Sequence, residues 1–274
     1  MPSLFRLGFS LVALALLCQP VLASGRYYDL ENWTSAATAV RHERHPYSRF
    51  RTNLAIGGAF APEYLGSDSN EFKILPLADV EYADALFIST QRGIGYNLWR
   101  TKSIKAGPRV TFDFGRDSQS HAEIASLPDV DPGAEVGLFL DAYGGPWRVR
   151  TDIRQEVAGG HGGWLFNFDL AWGARTSNST SLILGGRTTY MGDDYADSYF
   201  SVAPANATST LPAFTASSDF RDVTGYVQVI YDINQRLYLA GDGRAVALLG
   251  SAADSPVSKT DTYFVGSLML GYRF

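Results

Sequence analysis

Hydrophobic and polar positions alternate along much of this chain. Trp164, Phe166, Phe168, Leu170 and Trp172 share one face of a segment whose other face is Leu165, Asn167, Asp169, Ala171 and Gly173. Upstream, Trp147, Val149, Thr151, Ile153 and Val157 oppose Arg148, Arg150, Asp152, Arg154 and Glu156. Earlier still, Ile104, Ala106, Pro108, Val110, Phe112 and Phe114 oppose Lys105, Arg109, Thr111 and Asp113. Softer runs begin near Leu54, Phe72, Leu86, Ala134, Ser181, Asp222 and Arg236. The stretch "YFVGSLMLGYRF" repeats the pattern, with Phe264, Gly266, Leu268, Leu270, Tyr272 and Phe274 on one side. A period of two predicts strands whose faces meet different environments.

A soluble sandwich also alternates, but three features point to a membrane. The segments are about 10 residues or longer, the length a tilted strand needs to cross a bilayer. Aromatics gather at segment ends (Tyr82, Trp99, Trp147, Trp164, Tyr190, Tyr231, Tyr272), as interfacial girdles require. Connections alternate in length: "TSNST", "YGGPW" and "DINQR" are short, whereas 116–132 and 192–219 are long. A closed barrel satisfies every backbone group within lipid. The expected fold is therefore all-β, a transmembrane antiparallel up-and-down barrel over residues 50–274. Eleven alternating segments conflict with the even number usual for bacterial single-chain barrels. The alternation slips between Ile88 and Ile94, near "STQRGIG"; splitting 85–99 there gives 12 strands, with 10 as the alternative.

Residues 1–23 carry Arg6, an apolar run from Leu7 to Leu17, and small residues suited to cleavage after Val21-Leu22-Ala23. That is the pattern of a secretory signal peptide. Cys18, the only cysteine, lies within it, so the mature chain is expected to hold no disulfide. Removing residues 1–23 leaves 22 basic against 28 acidic residues, a net charge of −6. Nucleic acid, which needs a basic footprint, is thereby disfavoured as a partner. Residues 24–49 show no clean period and read as a periplasmic lead-in.

The segments "FAPEYLGSDSNEFKILPL", "GIGYNL", "AGPRVTFDFGRD", "LPDVDPGAEVGLFL", "YMGDDYADSYFSV" and "LLGSAADSPV", in that order and ending on "GYRF", resemble the MipA/OmpV family of outer-membrane proteins. The likeness runs from about Leu54 to Phe274. It implies an outer-membrane barrel of a Gram-negative cell, exported through a cleaved signal peptide and surrounded by outer-membrane lipid. The founding member is a scaffold joining a lytic murein transglycosylase to a murein polymerase. The resemblance implies these as partners; the barrel itself is expected to be monomeric and non-enzymatic. A terminal strand with Leu268, Leu270, Tyr272 and Phe274 at alternate positions is the kind that outer-membrane assembly machinery recognises.

Candidate chemistry is sparse. Arg109, Asp113, Glu135, Asp141, Arg148, Arg150, Asp152, Arg154, Glu156, Asp169, Arg187, Asp242 and Arg244 are expected to face the lumen. Their mixed signs suit pairing across it, or a narrow solute pore if water fills it. His42 and His45 in "RHERH" lack the spacing of a helical zinc pair. His121, with Glu123, Asp129 and Asp131 in a long loop, is the place for a rim enzyme, yet no serine or acid pair with the right partners stands out there. Asp68, Asp129, Asp131 and Glu135 sit in acidic turns without EF-hand spacing. No catalytic residue, metal or cofactor is assigned, and the leading expectation is a scaffold, with a small-solute pore and then a rim enzyme as alternatives.

Overall fold

The computed structural model describes residues 49–274; the predicted signal peptide and all but the last residue of the lead-in lie outside these. Among the described residues the chain is a closed ring of antiparallel strands, each paired with its neighbour in sequence. Strands β1 (Phe50–Pro62) and β2 (Asn70–Tyr82) pair along 13 positions. A short hairpin follows, β3 (Leu86–Ser89) and β4 (Gly93–Tyr96). β5 (Trp99–Arg100) continues β4 past a kink, because both pair with β6 (Ile104–Asp113). The wall proceeds through β7 (Gly133–Gly144), β8 (Trp147–Ala158), β9 (Trp164–Arg175), β10 (Thr180–Met191), β11 (Asp219–Asp232), β12 (Leu237–Leu248) and β13 (Thr262–Arg273). With β4 and β5 counted as one, the barrel has twelve wall strands, and the 85–99 segment is split at residues 90–92.

β13 returns to β1, from Asn53↔Arg273 to Phe60↔Gly266. The Phe274 N–H donates to the Thr52 carbonyl at 3.0 Å, so the final aromatic is fixed beside the first strand. Outward faces carry Ile56, Phe72, Leu138, Phe168, Val227 and Phe264, all exposed. A continuous apolar surface of this kind belongs against lipid, where no soluble partner is needed to cover it. Trp164 stacks on Tyr190 at 5.6 Å, and Tyr190 meets Phe220 edge-on at 5.2 Å, forming part of one girdle.

Glycines let rings lie flat across the wall. A Cβ on Gly271 would fall 2.1 Å from the Tyr238 ring, and one on Gly185 2.2 Å from the Tyr226 ring. Such aromatic covering of glycine fixes register where a bare strand would slip.

The two ends of the barrel differ. Turns on the side of Phe50 and Phe274 are short and expose Arg100, Lys102, Arg175 and Arg236. The other side carries the long loops, 114–132, 192–218 and 249–261, and exposes acids, among them Asp68, Asp129, Asp131, Asp193, Asp194 and Asp261. Two of these loops contain helices that the period-two reading did not register. They are α1 (Asp193–Phe200) and the short α2 (Gly250–Asp254). Tyr195, Ala196, Tyr199 and Phe200 of α1 are buried among Leu75, Leu165, Met191, Val246 and Leu248. The helix is thus a plug, with a hydrophobic core inside the long-loop half of the barrel. Acidic residues Asp193 and Asp194 in its first turn suit the positive end of its dipole.

Candidate functional site: the charged lumen and its buried histidine

Alternation brings one polar side chain inward at every second position of a strand, and neighbouring strands stack these into layers. Nearest the short turns, the Glu81 carboxylate accepts from Arg51 and from Lys105, both at 2.6 Å. Arg92 donates to both oxygens of Asp79 and lies 4.3 Å over the Phe87 ring. One layer further, Arg150 pairs with Asp141 at 2.6 Å, and Arg148 with Asp169 at 2.5 Å. The Tyr226 hydroxyl shares Asp169 at 2.9 Å. Arg109 meets Asp152 at 2.8 Å, and Arg244 meets Asp242 at 2.5 Å. Arg187 is 5% exposed, and its Nε and Nη2 make no hydrogen bond among the described residues.

The residues expected to face inward are buried, with Asp113 half-buried at the end of β6. Arg148, Arg150 and Arg154 are at most 6% exposed. An anion path along this ladder would need those guanidiniums wetted. These three are instead each paired with a neighbouring carboxylate, Asp169, Asp141 and Glu135, which is what lets an ion be buried. Glu81, Arg92, Lys105 and Arg221 join the network although the sequence analysis did not single them out as lumen charges. Arg221 donates to Asp222 and to the Tyr195 hydroxyl, both at 2.7 Å, tying the wall to α1.

Under α1 three elements converge. Asp113 ends β6, Glu135 follows a bulge in β7 at Ala134/Glu135, and His161 lies in the β8–β9 loop. A bulge re-aims a side chain locally. One Asp113 oxygen, Oδ1, accepts from Tyr199 Oη at 2.5 Å and from the Gly115 N–H at 2.7 Å. Thr111 Oγ1 donates to Glu135 Oε2 at 2.7 Å, with Arg154 at 3.4 Å. His161 packs edge-on against Tyr195 with ring centroids 4.7 Å apart. Burial and the adjacent Asp113 charge push the Tyr199 phenol well above its ordinary range, so it stays a donor.

The long-loop residues go elsewhere. His121 Nδ1 lies 3.1 Å from Glu63, and Tyr64 donates to Glu123 at 3.2 Å. Burial and Glu123 raise the Tyr64 phenol above its usual range, so it is no base. Asp129 Oδ1 accepts from the Ser118 N–H at 2.8 Å, which closes its own loop. Asp68 is exposed, whereas Glu135 turns into the barrel. At the terminal strand, Leu268, Leu270 and Phe274 face outward and exposed, and Tyr272 packs against Phe274 at 4.7 Å.

Similar folds occur among solved outer-membrane proteins. OmpT of Vibrio cholerae aligns over 85% of this chain and 100% of its own, at 8% identity and a TM-score of 0.38. A bacterial polysaccharide outer membrane secretin aligns over 81% and 98%, at 9% identity and a TM-score of 0.41. The NanC porin aligns over 81% and 98%, at 7% identity and 0.41. No curated protein sequence matches the chain. Residues 54–274, the whole ring apart from the first four residues of β1, match the family described as MltA-interacting protein MipA. With that span, an outer-membrane barrel closed by its first and last strands, the chain belongs to the MipA family.

Proposed function

We propose that this barrel is a periplasmic docking scaffold for murein-remodelling enzymes, and that it works through contacts and not through chemistry. The single observation that carries the reading is the contrast between its interior and its short-turn rim. Most lumenal charges are buried and paired with a neighbour, and the long-loop half is filled by α1. The rim instead exposes Arg100, Lys102, Arg175 and Arg236 on turns held rigidly by the strands. Between Lys102 and Arg175 lies a cavity of about 370 Å³, lined also by Ser103, Tyr143, Pro146 and Trp147. Exposed arginines beside an aromatic-lined recess are what an acidic partner surface would use as an anchor. The family description supplies the partner class, a lytic transglycosylase of the MltA type.

Site-specific photo-crosslinking in cells tests this. Probes at Lys102 and Arg236 should capture a murein transglycosylase, while probes at Asp129 and Asp254 on the opposite end should not. The combined variant Lys102→Glu, Arg175→Glu, Arg236→Glu should abolish capture without changing the amount of heat-modifiable barrel. Capture only from the acidic end, or unchanged capture in the charge-reversed variant, rejects the reading.

A further inference from the structure

We propose that Asp113, Glu135 and His161 form a buried site for a first-row divalent metal of the zinc type, placed beneath the plug helix α1. The three candidate donor atoms lie within 4.8 Å of one another. His161 Nε2 is 3.6 Å from Glu135 Oε1 and 3.9 Å from Asp113 Oδ2. Donors at about 2.0–2.1 Å around a tetrahedral zinc stand about 3.4 Å apart, so modest carboxylate rotations close the set.

The oxygens are divided as a ligand set requires. Asp113 spends Oδ1 on Tyr199 and Gly115 and turns Oδ2 toward the histidine. Glu135 spends Oε2 on Thr111 and Arg154 and turns Oε1 toward the same nitrogen. Glu135 Oε1 and His161 Nε2 are buried without any hydrogen-bond partner, in residues 1% and 3% exposed. Buried polar atoms of native proteins are almost always satisfied, and two such atoms facing one point, with Asp113 Oδ2 beside them, indicate a missing cation. His161 Nδ1 faces Glu156 Oε2 at 3.4 Å, the arrangement in which a carboxylate holds the outer proton of a metal-bound imidazole. The Gly163 N–H donates to Nδ1 at 3.0 Å, so metal binding at Nε2 requires the other tautomer, with the ring proton on Nδ1 toward Glu156 and the Gly163 contact released.

Charge points the same way. Arg154 answers Glu135 and Arg109 answers Asp152, which leaves Asp113 and Glu156 beside the His161 ring. An imidazole nitrogen with two carboxylate oxygens suits zinc, manganese or iron(II) better than the all-oxygen shells of magnesium and calcium. With β6, β7 and the β8–β9 loop tied to one ion under α1, the metal would pin the plug. The sequence offered no spacing motif because each ligand comes from a different element.

The test uses the mature chain refolded in detergent, stripped with chelator and titrated with Zn2+ in calorimetry. One saturable site per chain is expected. Co2+ should give the visible absorption of a low-coordinate nitrogen–oxygen site. His161→Gln should weaken Zn2+ binding at least 100-fold, Glu156→Gln about tenfold, and His121→Ala should leave it unchanged. Should His161→Gln fail to give a heat-modifiable barrel, the wild-type chain decides alone: a Zn2+-dependent shift of the His161 imidazole 15N resonances supports the site, and unchanged resonances overturn it. Absence of saturable binding to the wild-type chain, equal binding by His161→Gln, or loss with His121→Ala overturns it. None of these outcomes depends on a transglycosylase partner.

Discussion

The Tyr199 hydroxyl donates to Asp113 Oδ1 at 2.5 Å across 86 positions of sequence, joining the plug helix to the end of a wall strand. A hydrogen bond to a charged group contributes more than a neutral one, and its loss leaves Oδ1 with only the Gly115 N–H. Tyr199→Phe is therefore expected to destabilise the barrel by about 1–3 kcal/mol. Urea-induced unfolding in lipid vesicles, followed by tryptophan fluorescence, would measure this. Tyr231→Phe, at an exposed position on the outer face, should change stability far less.

The Arg148–Asp169 pair at 2.5 Å is buried on both sides. Removing one partner strands the other charge, so Arg148→Met or Asp169→Leu alone should cost about 3–5 kcal/mol. The double replacement should recover most of that loss in the same unfolding assay. Additive losses would show that the two side chains act independently.

Gly271 lies under the Tyr238 ring, whose hydroxyl donates to Asn53 at 2.9 Å and whose face carries Arg273 at 4.1 Å. Gly271→Ala must displace that ring, and overpacking of this kind costs about 1–3 kcal/mol. Combined with Tyr238→Ala, the glycine substitution should cost little more than Tyr238→Ala alone, because the clash is gone.

The buried charge layers and the plug predict a chain that does not conduct in planar bilayers. Replacing residues 192–218 with a short Gly-Ser linker removes α1 and should raise conductance. If that opened lumen passes anions, Arg148→Ala with Arg150→Ala should reverse its preference. Steady conductance by the wild-type chain would contradict the filled interior.

At the terminal strand, Phe274→Ala is expected to lower the folded barrel in outer membranes several-fold, as read by heat-shifted gel mobility. Refolding of the same variant from urea into detergent should be nearly unchanged. Equal defects in both assays would mean that Phe274 contributes packing and not recognition.

Strand pattern was legible because both faces of the wall are uniform: lipid on one side, paired charge on the other. The slip between Ile88 and Ile94 marked a true break, since Ser89 and Gly93 bracket the β3–β4 turn. The plug was not legible to a period-two reading. Its own signal was present, however, in Tyr195, Ala196, Tyr199 and Phe200, spaced for one side of a helix and preceded by Asp193 and Asp194. The pairings of Glu81, Arg92 and Lys105 were not legible because their partners sit on other strands, at registers that only the closed ring defines. His161 was equally silent. A glycine-rich loop carries it, and its neighbours arrive from β6 and β7.

The union of Asn53 with Arg273, and of Phe60 with Gly266, has a consequence for biogenesis. A cylinder sewn shut by its two outermost staves has no half-finished form that is free of raw edges. Until β13 arrives, β1 and β12 both offer open backbone to any stray strand, so synthesis, transit and insertion must be finished by helpers that shield those borders. Completion is all-or-nothing, and a chain shortened by one stave should be cleared rather than accumulate as a smaller barrel.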